Sequence, residues 1–284
     1  MSIAPAIVVG ASGFVGGALF RALVKLGIDT RGLGRAQVDL EAPGAAERLT
    51  AHLVPGARVA FVSARAPAKT MAMAARNLRM AEAACAAFAR VKPSYLLYVS
   101  SDAVYDDDAN PVSETSRVAP STPHGIMHAA REAMFREAMG EAFCALRPTL
   151  IYGANDPHSG YGPNRFRREV KADGVIRIFG EGEERRDHVW IGDVARLGAR
   201  LIAEARPGIF NAVTGRSIDF ATIARKVAAL AGGITVESIP RPPGYKAHLL
   251  HRHFDIAALL KTFPEFRFAS IDEGLARAQR GIDE

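Results

Sequence analysis

Cysteine and tryptophan are nearly missing from this chain of 284 residues, which has two cysteines, Cys85 and Cys144, and one tryptophan. Two thiols cannot make a disulfide framework, and neither belongs to a recognisable zinc-ligand spacing. Cys85 lies in an alanine-rich stretch and Cys144 in an apolar one, so both are expected to be small buried hydrophobes. Long hydrophobic runs are missing as well: no stretch reaches the ~18 apolar residues that a membrane-spanning helix requires, and no membrane partner is expected. The opening Met1-Ser2-Ile3-Ala4-Pro5 has no basic region ahead of an apolar one, so no secretory leader is read and a cytoplasmic protein is expected. There is no internal repeat and no low-complexity tract.

Charge is slightly one-sided, with 36 basic against 30 acidic residues and a net charge of +6. The arginines are spread over most helical stretches, and short clusters stand at Arg165-Phe166-Arg167-Arg168 and Arg185-Arg186. No nucleic-acid module accompanies them. The expected partner is an anionic small-molecule substrate, not nucleic acid. Arg165, Arg168 and Arg186 are the candidates for gripping its phosphate through bidentate charge-assisted hydrogen bonds.

What the chain does have is a composition of 49% hydrophobic and 23% charged residues, that of a globular protein with a sizeable core. Its most informative stretch is Ile7-Val8-Val9-Gly10-Ala11-Ser12-Gly13-Phe14-Val15-Gly16-Gly17. An apolar strand runs into three glycines at three-residue spacing, and a helical pattern follows at once. That pattern suits a dinucleotide: Gly10 for a tight turn, Gly13 for close backbone approach to a pyrophosphate, Gly16 for packing helix against strand. The helix from Phe14 then offers its first amides to phosphate. A bare strand-to-helix turn without a ligand is the plainer alternative.

Strands and helices alternate along the first half with short connections, as in a parallel sheet covered on both faces. Strands are expected at Thr30 to Leu33, Gln37 to Leu40, Arg58 to Ser63, Tyr95 to Ser100 and Phe143 to Leu146. Helices are expected at Ala45 to His52, Thr70 to Arg90 and His124 to Met139. The helix Thr70 to Arg90 carries alanine and methionine on nearly every face, which points to burial or to a homodimer bundle. After Tyr152 a Gly-, Pro- and Arg-rich segment runs to Arg186. A helix capped by Asp193, a strand at Ile209 to Ala212, a helix at Phe220 to Ala231 and a C-terminal tail follow. The fold class is α/β: a Rossmann-type doubly wound parallel sheet with a smaller C-terminal substrate domain. The expected division gives residues 1–152 to the dinucleotide-binding domain, with 187–212 returning to it, and 153–186 plus 213–284 to the substrate-binding part.

Further ordered stretches sharpen this expectation: Val38-Asp39-Leu40, Asn77, Tyr98-Val99-Ser100-Ser101-Asp102-Ala103-Val104-Tyr105, and Leu146-Arg147-Pro148-Thr149-Leu150-Ile151-Tyr152-Gly153. Phe179-Gly180-Glu181-Gly182, Arg186-Asp187-His188-Val189-Trp190-Ile191-Gly192-Asp193 and Phe210-Asn211-Ala212 complete the set. With these the chain resembles, over nearly its whole length, the extended short-chain dehydrogenase/reductase family, in its NAD-dependent epimerase/dehydratase branch. The resemblance implies a cleft between a Rossmann domain and a small substrate domain, with substrates that are often nucleotide sugars. It places a nicotinamide cofactor against Gly10, Ser12, Gly13, Phe14, Val15 and Gly16, then Asp39 and Leu40 beside the adenine. Ser63, Ala64, Arg65 and Ser100 are the remaining cofactor contacts it implies. Ser101 matches the hydroxyl that hydrogen-bonds the reacting oxygen. Asp102 follows it as in the dTDP-sugar reductase branch and, with Tyr152, is expected to touch substrate.

One position departs from the family. Its members carry a tyrosine, three residues, then a lysine at the start of the helix after the Ser101 strand. Here the segment is Pro123-His124-Gly125-Ile126-Met127-His128-Ala129-Ala130-Arg131-Glu132, and Gly125 and Glu132 fix the register. His124 therefore stands at the tyrosine position and His128 at the lysine position. An imidazole can move protons near neutrality, although its outer nitrogen reaches roughly 2 Å less far than a phenol oxygen, a difference to which catalysis is sensitive. Histidines four apart on one helix face can also share a metal with His158 as third ligand, but no recognisable ligand spacing surrounds them and no metal is expected. His248, His251 and His253 are read as surface or cleft histidines.

Cofactor choice is legible at the end of the second strand, where an acidic residue would accept the ribose hydroxyls of NAD. The segment reads Arg31-Gly32-Leu33-Gly34-Arg35, so NADP is favoured over NAD, with Arg35 on the 2′-phosphate. Asp39 could equally cap the next helix. The leading expectation is an NADP-linked oxidoreductase or epimerase acting on a carbonyl or secondary alcohol, with catalytic Ser101, His124 and His128. A dinucleotide-binding sensor that lost the acid/base pair, and non-redox proton transfer or hydrolysis in the same cleft, are the alternatives.

Overall fold

The computed structural model describes residues 4–241 and 251–283. From the N-terminal side come β1 (Ala6–Val9), α1 (Phe14–Lys25), β2 (Thr30–Leu33), α2 (Ala45–His52) and β3 (Arg58–Phe61). Next are α3 (Met71–Arg90), β4 (Tyr95–Val99), α4 (Pro123–Met139), β5 (Phe143–Pro148) and β6 (Leu150–Tyr152). They are followed by α5 (Pro163–Asp173), β7 (Val175–Phe179), β8 (Arg185–Trp190), α6 (Ile191–Glu204) and β9 (Gly208–Ala212). The last are β10 (Ser217–Asp219), α7 (Phe220–Leu230), β11 (Thr235–Ile239), α8 (Ala257–Thr262) and α9 (Ile271–Gln279).

Six strands join in the order β2-β1-β3-β4-β5-β9, every neighbouring pair parallel. Such a sheet is covered on both faces, and β1, β4 and β5 are accordingly buried at every residue. Leu19 and Leu23 of α1 pack with Leu197 and Leu201 of α6 in one core. Leu49 of α2, Phe88 of α3 and Phe135 of α4 fill the other. This is the Rossmann arrangement expected from the alternation of elements. The strand order reverses between β1 and β3, and in such sheets the crevice at the carboxyl ends of those two strands receives the ligand.

A smaller part is built from the three-stranded β10-β8-β6 sheet and the β7–β11 pair. Tyr152, Phe166, Trp190, Phe220 and Leu275 form its core. The segment 187–212 divides between the two parts: β8 pairs with β6 and β10, whereas β9 pairs with β5 in the main sheet.

Two local expectations are corrected. Gln37 to Leu40 is a turn, not a strand, because the Gln37 and Val38 amides donate back to the Gly34 carbonyl and the Gln37 side chain accepts from the Gly34 amide. Those local bonds take the groups that a sheet ladder would need. Asp193 does not cap α6. The helix begins earlier, after Trp190, and the Asp193 carboxylate is buried inside the first turn, accepting from the Ala269 amide and from Arg196. α3 buries one face only, at Ala74, Asn77, Met80, Ala81, Ala84, Ala87 and Phe88, while Arg76, Arg79 and Glu82 are exposed on the other. Among the described residues, no helix is long and apolar enough to cross a membrane. Both cysteines are free, Cys144 buried and Cys85 half-buried.

Candidate functional site

The glycine turn lies at the crevice. Gly10 has φ +100°, and a Cβ there would stand 2.7 Å from the Ser63 amide nitrogen, so both its backbone conformation and the approach of β3 demand glycine. A Cβ on Gly16 would collide with the Gly10 carbonyl oxygen. Gly13 differs: its Cβ would meet the Gly10 oxygen at an ordinary 3.4 Å. Nothing in the chain itself requires glycine at 13, whose bare backbone faces two adjoining cavities. A Cβ there would project into space that the protein leaves open. That is the cradle a pyrophosphate would need, and the residues present fit a dinucleotide.

The first cavity, about 220 Å³, is lined by Ser12, Arg35, Asp39, Leu40, Ser63, Ala64 and Arg65 among others. Its rim is a cluster of ion pairs. Glu41 accepts from Arg35 at 2.7 Å, from Arg65 at 2.6 Å and from Arg76 at 2.6 Å. Burial alone would raise its carboxyl, and the Arg76 and Arg65 hydrogen bonds overcome that and hold it below the usual range. Arg35 also pairs with Asp39 at 3.3 Å. Asp39 is no helix cap, since α2 starts at Ala45 after Gly44; it accepts the Glu41 amide instead. Asn77 of α3 pins the neighbouring loop, accepting the Arg65 amide at 2.8 Å and donating to its carbonyl.

The second cavity, about 620 Å³, has Gly10, Gly13, Phe14, Val15 and Gly16 on one side. Ser100, Ser101, Asp102, His124 and His128 form a second wall, and Thr149, Asp156, His158 and Asn164 a third. The histidines owe their place to the start of α4. Thr122 caps it by accepting the Gly125 amide, and Pro123 occupies the first turn, where its missing N–H costs nothing. Gly125 lets the helix sit on the turn Asp102–Val104, because a Cβ there would collide with the Ala103 carbonyl oxygen. One turn on, His128 lies inside, 4% exposed, with its ring edge-to-face against His124 at 4.6 Å between centroids.

Each imidazole is fixed by its Nδ1. His124 Nδ1 accepts the Ala68 amide at 3.4 Å, and His128 Nδ1 meets the Tyr98 hydroxyl at 2.6 Å. Burial, then the nearby His158, lowers the His124 imidazole below its ordinary value. Burial, with His124 and Arg131 close by, takes His128 well below it. Both are therefore neutral near pH 7. Ser101 Oγ accepts the Ala103 amide at 3.1 Å, a local bond that leaves its hydroxyl proton beside Asp102 at 3.4 Å. Burial raises the Asp102 carboxyl despite Arg252, and its Oδ2 accepts from Thr149 at 3.2 Å. Ser100 lines the cavity while its hydroxyl donates to Glu132 at 2.5 Å; Glu132 in turn makes a bidentate pair with Arg147.

Not every candidate reaches this cleft. Tyr152 is 1% exposed within the C-terminal core, its hydroxyl end packed against α9 at Gly274. Arg165 pairs with Glu169 and stacks on Tyr161 and Phe179, Arg168 bonds the Asp156 carbonyl, and Arg186 pairs with Glu184. None of these three lines either cavity. His251 and His253 are exposed, and His248 lies outside the described residues. Among the described residues, no three His, Cys, Asp or Glu side chains converge as a metal site. Sequence reasoning passed over Glu41, Tyr98 and Arg131. The signal for Arg131 was on the page: three residues after His128 it shares the inward helix face, where an arginine is out of place.

The sequence model of the NAD dependent epimerase/dehydratase family matches residues 6–212. Among curated proteins, an ADP-L-glycero-D-manno-heptose-6-epimerase of Alkalilimnicola ehrlichii is 26% identical over 193 residues, covering 63% of this chain and 60% of that relative. Among solved structures, dTDP-4-dehydrorhamnose reductase from Bacillus anthracis in complex with NADP has a TM-score of 0.81 at 18% identity, covering 98% of this chain and 99% of that one. UDP-glucose 4-epimerase from Thermotoga maritima with UDP-glucose has a TM-score of 0.82 at 22% identity, covering 95% and 96%. These structural likenesses carry the fold. The family match, spanning most of the chain and all of the Rossmann sheet, carries more: this chain belongs to the NAD dependent epimerase/dehydratase family.

Proposed function

We propose that this protein is a nicotinamide-dependent oxidoreductase or epimerase that acts on a carbonyl or secondary alcohol of an anionic small molecule of the nucleotide-sugar class. One observation carries the proposal: Ser101, His124 and His128 share a wall of the cavity that the glycine turn opens onto. The nucleotide-sugar class is supported by what the related epimerases and reductases act on by name. Residues 4–152 with α6 and β9 form the dinucleotide-binding part in this proposal, and residues 153–186 with β8 and the described part of 213–283 form the substrate-binding part.

NADP is the preferred cofactor in this proposal, with NAD as the alternative. Support comes from Arg35 at the end of β2, and from Arg65 and Arg76 gathered around the same carboxylate. When bound, the nicotinamide ring supplies the hydride acceptor or donor. The chain's own groups do the rest. Ser101 Oγ and the Nε2–H of His124 hold the reacting oxygen by hydrogen bonds, His124 serving as a donor because its Nδ1 already accepts the Ala68 amide. His128, neutral, hydrogen-bonds the ribose without adding the permanent charge that a lysine would bring. Asp102, beside Ser101, and Thr149, which donates to it, orient the substrate. A hydrogen-bonding imidazole in place of a phenol shortens the reach, so the substrate oxygen must sit closer to α4 than a phenol would place it.

The test is turnover. Purified protein with NADPH or NADP⁺ and a panel of dTDP- and UDP-linked sugars, keto and hydroxy forms, should change cofactor absorbance or interconvert epimers. Tight cofactor binding with no turnover on any of them would favour the sensor alternative, and absence of binding would remove the dinucleotide reading itself.

A further inference from the structure

We propose that Tyr98 and Arg131 are positioning residues that act through His128: the Tyr98 hydroxyl donates to His128 Nδ1, fixing the tautomer that turns Nε2–H into the cleft, and the Arg131 guanidinium behind the phenol enforces that order. This rests on the assignment of His128 to the cofactor side of the cleft.

Arg131 is 0% exposed and, among the described residues, makes no ion pair with a carboxylate. Its Nη2 donates to the Ser63 carbonyl at 2.7 Å, its Nη1 lies 3.8 Å from the Met127 sulfur, and its Nε has no partner. Three rings surround it, with the guanidinium carbon 5.0 Å from the Phe61 centroid, 5.1 Å from that of Tyr98 and 6.0 Å from that of Phe135. The contrast with Arg147 is direct. That arginine is equally buried, but it faces Glu132, the residue next to Arg131, in a bidentate pair. A guanidinium taken out of water without a counter-ion is costly to the fold, and stacking on aromatic faces recovers a fraction of that. A hydrophobic side chain would serve packing better. What the cation adds is a fixed positive charge against the Tyr98 ring, whose hydroxyl meets His128.

The hydrogen-bond inventory then allows one ordering. Tyr98 is 1% exposed and burial pushes its phenol up, so it keeps its proton. His128 is neutral for the reason given above. Between a neutral phenol and a neutral imidazole the 2.6 Å bond can run either way in principle. If Nδ1–H donated, the phenol proton would have to point toward the Phe61 and Phe135 rings and a guanidinium, where no acceptor stands. Tyr98 is therefore the donor and Nδ1 the acceptor, leaving the proton of His128 on Nε2, at the edge that borders the cavity. His124 reaches the same state by another route, since the Ala68 amide can only donate to its Nδ1. Both imidazoles thus present N–H groups to a ligand, and for His128 the arrangement is built by the Tyr98 hydroxyl.

Histidine-labelled protein read by long-range ¹H–¹⁵N correlation tests this directly. The His128 signals, identified by their loss in His128→Gln, should show an unprotonated Nδ1 and a protonated Nε2 throughout pH 6 to 8. Tyr98→Phe keeps the ring under Arg131 and removes the hydroxyl; it should move the His128 nitrogens toward a mixture of tautomers and weaken NADP⁺ binding by ~5-fold, leaving the His124 signals and the unfolding transition in place. Arg131→Met should move the same signals. A protonated Nδ1 in the unaltered protein overturns the proposal, and so do His128 signals indifferent to Tyr98→Phe. The tautomer in the unaltered protein needs neither variant to fold nor any cofactor to bind, so failure of the functional assignment is read separately, as absent NADP⁺ binding with the tautomer intact.

Discussion

The two ends of the cleft are built on opposite electrostatic plans. At the end lined by Arg35 the charges are formal, paired and wet: Arg35, Arg65 and Arg76 around Glu41, with side chains between 38% and 56% exposed on the arginine side. At the other end two neutral imidazoles are held by Nδ1, with a guanidinium buried beneath Tyr98. The difference teaches what each end can respond to. Exposed ion pairs are worth little singly and are screened by salt. Buried neutral donors keep their direction and answer instead to pH and to the loss of a single hydrogen bond.

The sharpest way to break this comparison is to remove the donor assigned to the reacting oxygen at the dry end. His124→Ala should lower turnover on the true substrate by ~100-fold or more, the scale of losing one preorganised hydrogen-bond donor to the reacting oxygen, while NADP⁺ affinity stays within a few-fold of the unaltered protein. Steady-state kinetics beside calorimetric titration would read both numbers. A small loss of rate with a large loss of affinity would instead make His124 a binding group, and the dry end would resemble the wet one.

The pH response separates the ends next. His128 is held well below the ordinary imidazole value and the buried His188 is lowered to about 3, in both cases first by burial. In the unfolded chain both titrate near 6.5. Above that pH neither state binds the proton and stability is flat. Below it the unfolded chain takes up protons that the folded one refuses, so each imidazole withdraws about 1.4 kcal/mol of stability per pH unit. Asp187, raised to about 6 by burial, runs the other way once the pH falls below that value. A difference measurement avoids the overlap: urea unfolding at pH 7 and pH 5.5 should show a smaller loss for His128→Gln than for the unaltered protein, by about 1 kcal/mol. An identical loss would mean that His128 charges freely in the folded state.

Much of the fold was legible because the signals were local and repeated. Apolar strands at β1, β4 and β5 and the glycine turn between β1 and α1 follow from patterns within a dozen residues. The strand expected at Gln37 to Leu40 is absent: alternating polarity there resembles a strand, but the amides turn back on Gly34. Asp193 misled for a related reason, since an acidic residue near a helix start suits a cap and equally suits a buried acceptor for Ala269, 76 residues away. The candidate site was legible to the extent that it followed motifs, as at Ser101, His124 and His128. Contacts set by tertiary packing were not. Nothing near Tyr152 in sequence reveals that α9 covers it, and nothing near Glu41 reveals Arg65 and Arg76 arriving from other elements.

At the wet end Arg35→Ala should weaken NADP⁺ binding by ~10-fold, the cost of one charged hydrogen bond to phosphate, and leave NAD⁺ binding nearly unchanged. Raising the salt concentration should erode the NADP⁺ preference of the unaltered protein toward that of the variant. Equal loss for both cofactors in calorimetry would place Arg35 in the scaffold of the turn and not at a 2′-phosphate.

The smallest expected effect is the one that tests how the wet end is poised. Glu41 stands among three guanidiniums as the anion they share, held ionised by Arg76 and Arg65. A 2′-phosphate arriving there would compete with this carboxylate for Arg35 and Arg65 and would also be repelled by it. Glu41→Gln keeps an acceptor oxygen of the same reach and removes the charge. The loosened arginines lose some order, a cost shared by both cofactors because it falls on the pocket itself. The removed repulsion favours only the phosphorylated one. The preference for NADP⁺ over NAD⁺ should therefore rise by ~3-fold at low salt, a size typical of one exposed charge interaction, and the gain should shrink as salt is added. A fall in preference would mean that Glu41 serves mainly to preorganise the arginines, and that charge balance at this end matters less than their geometry.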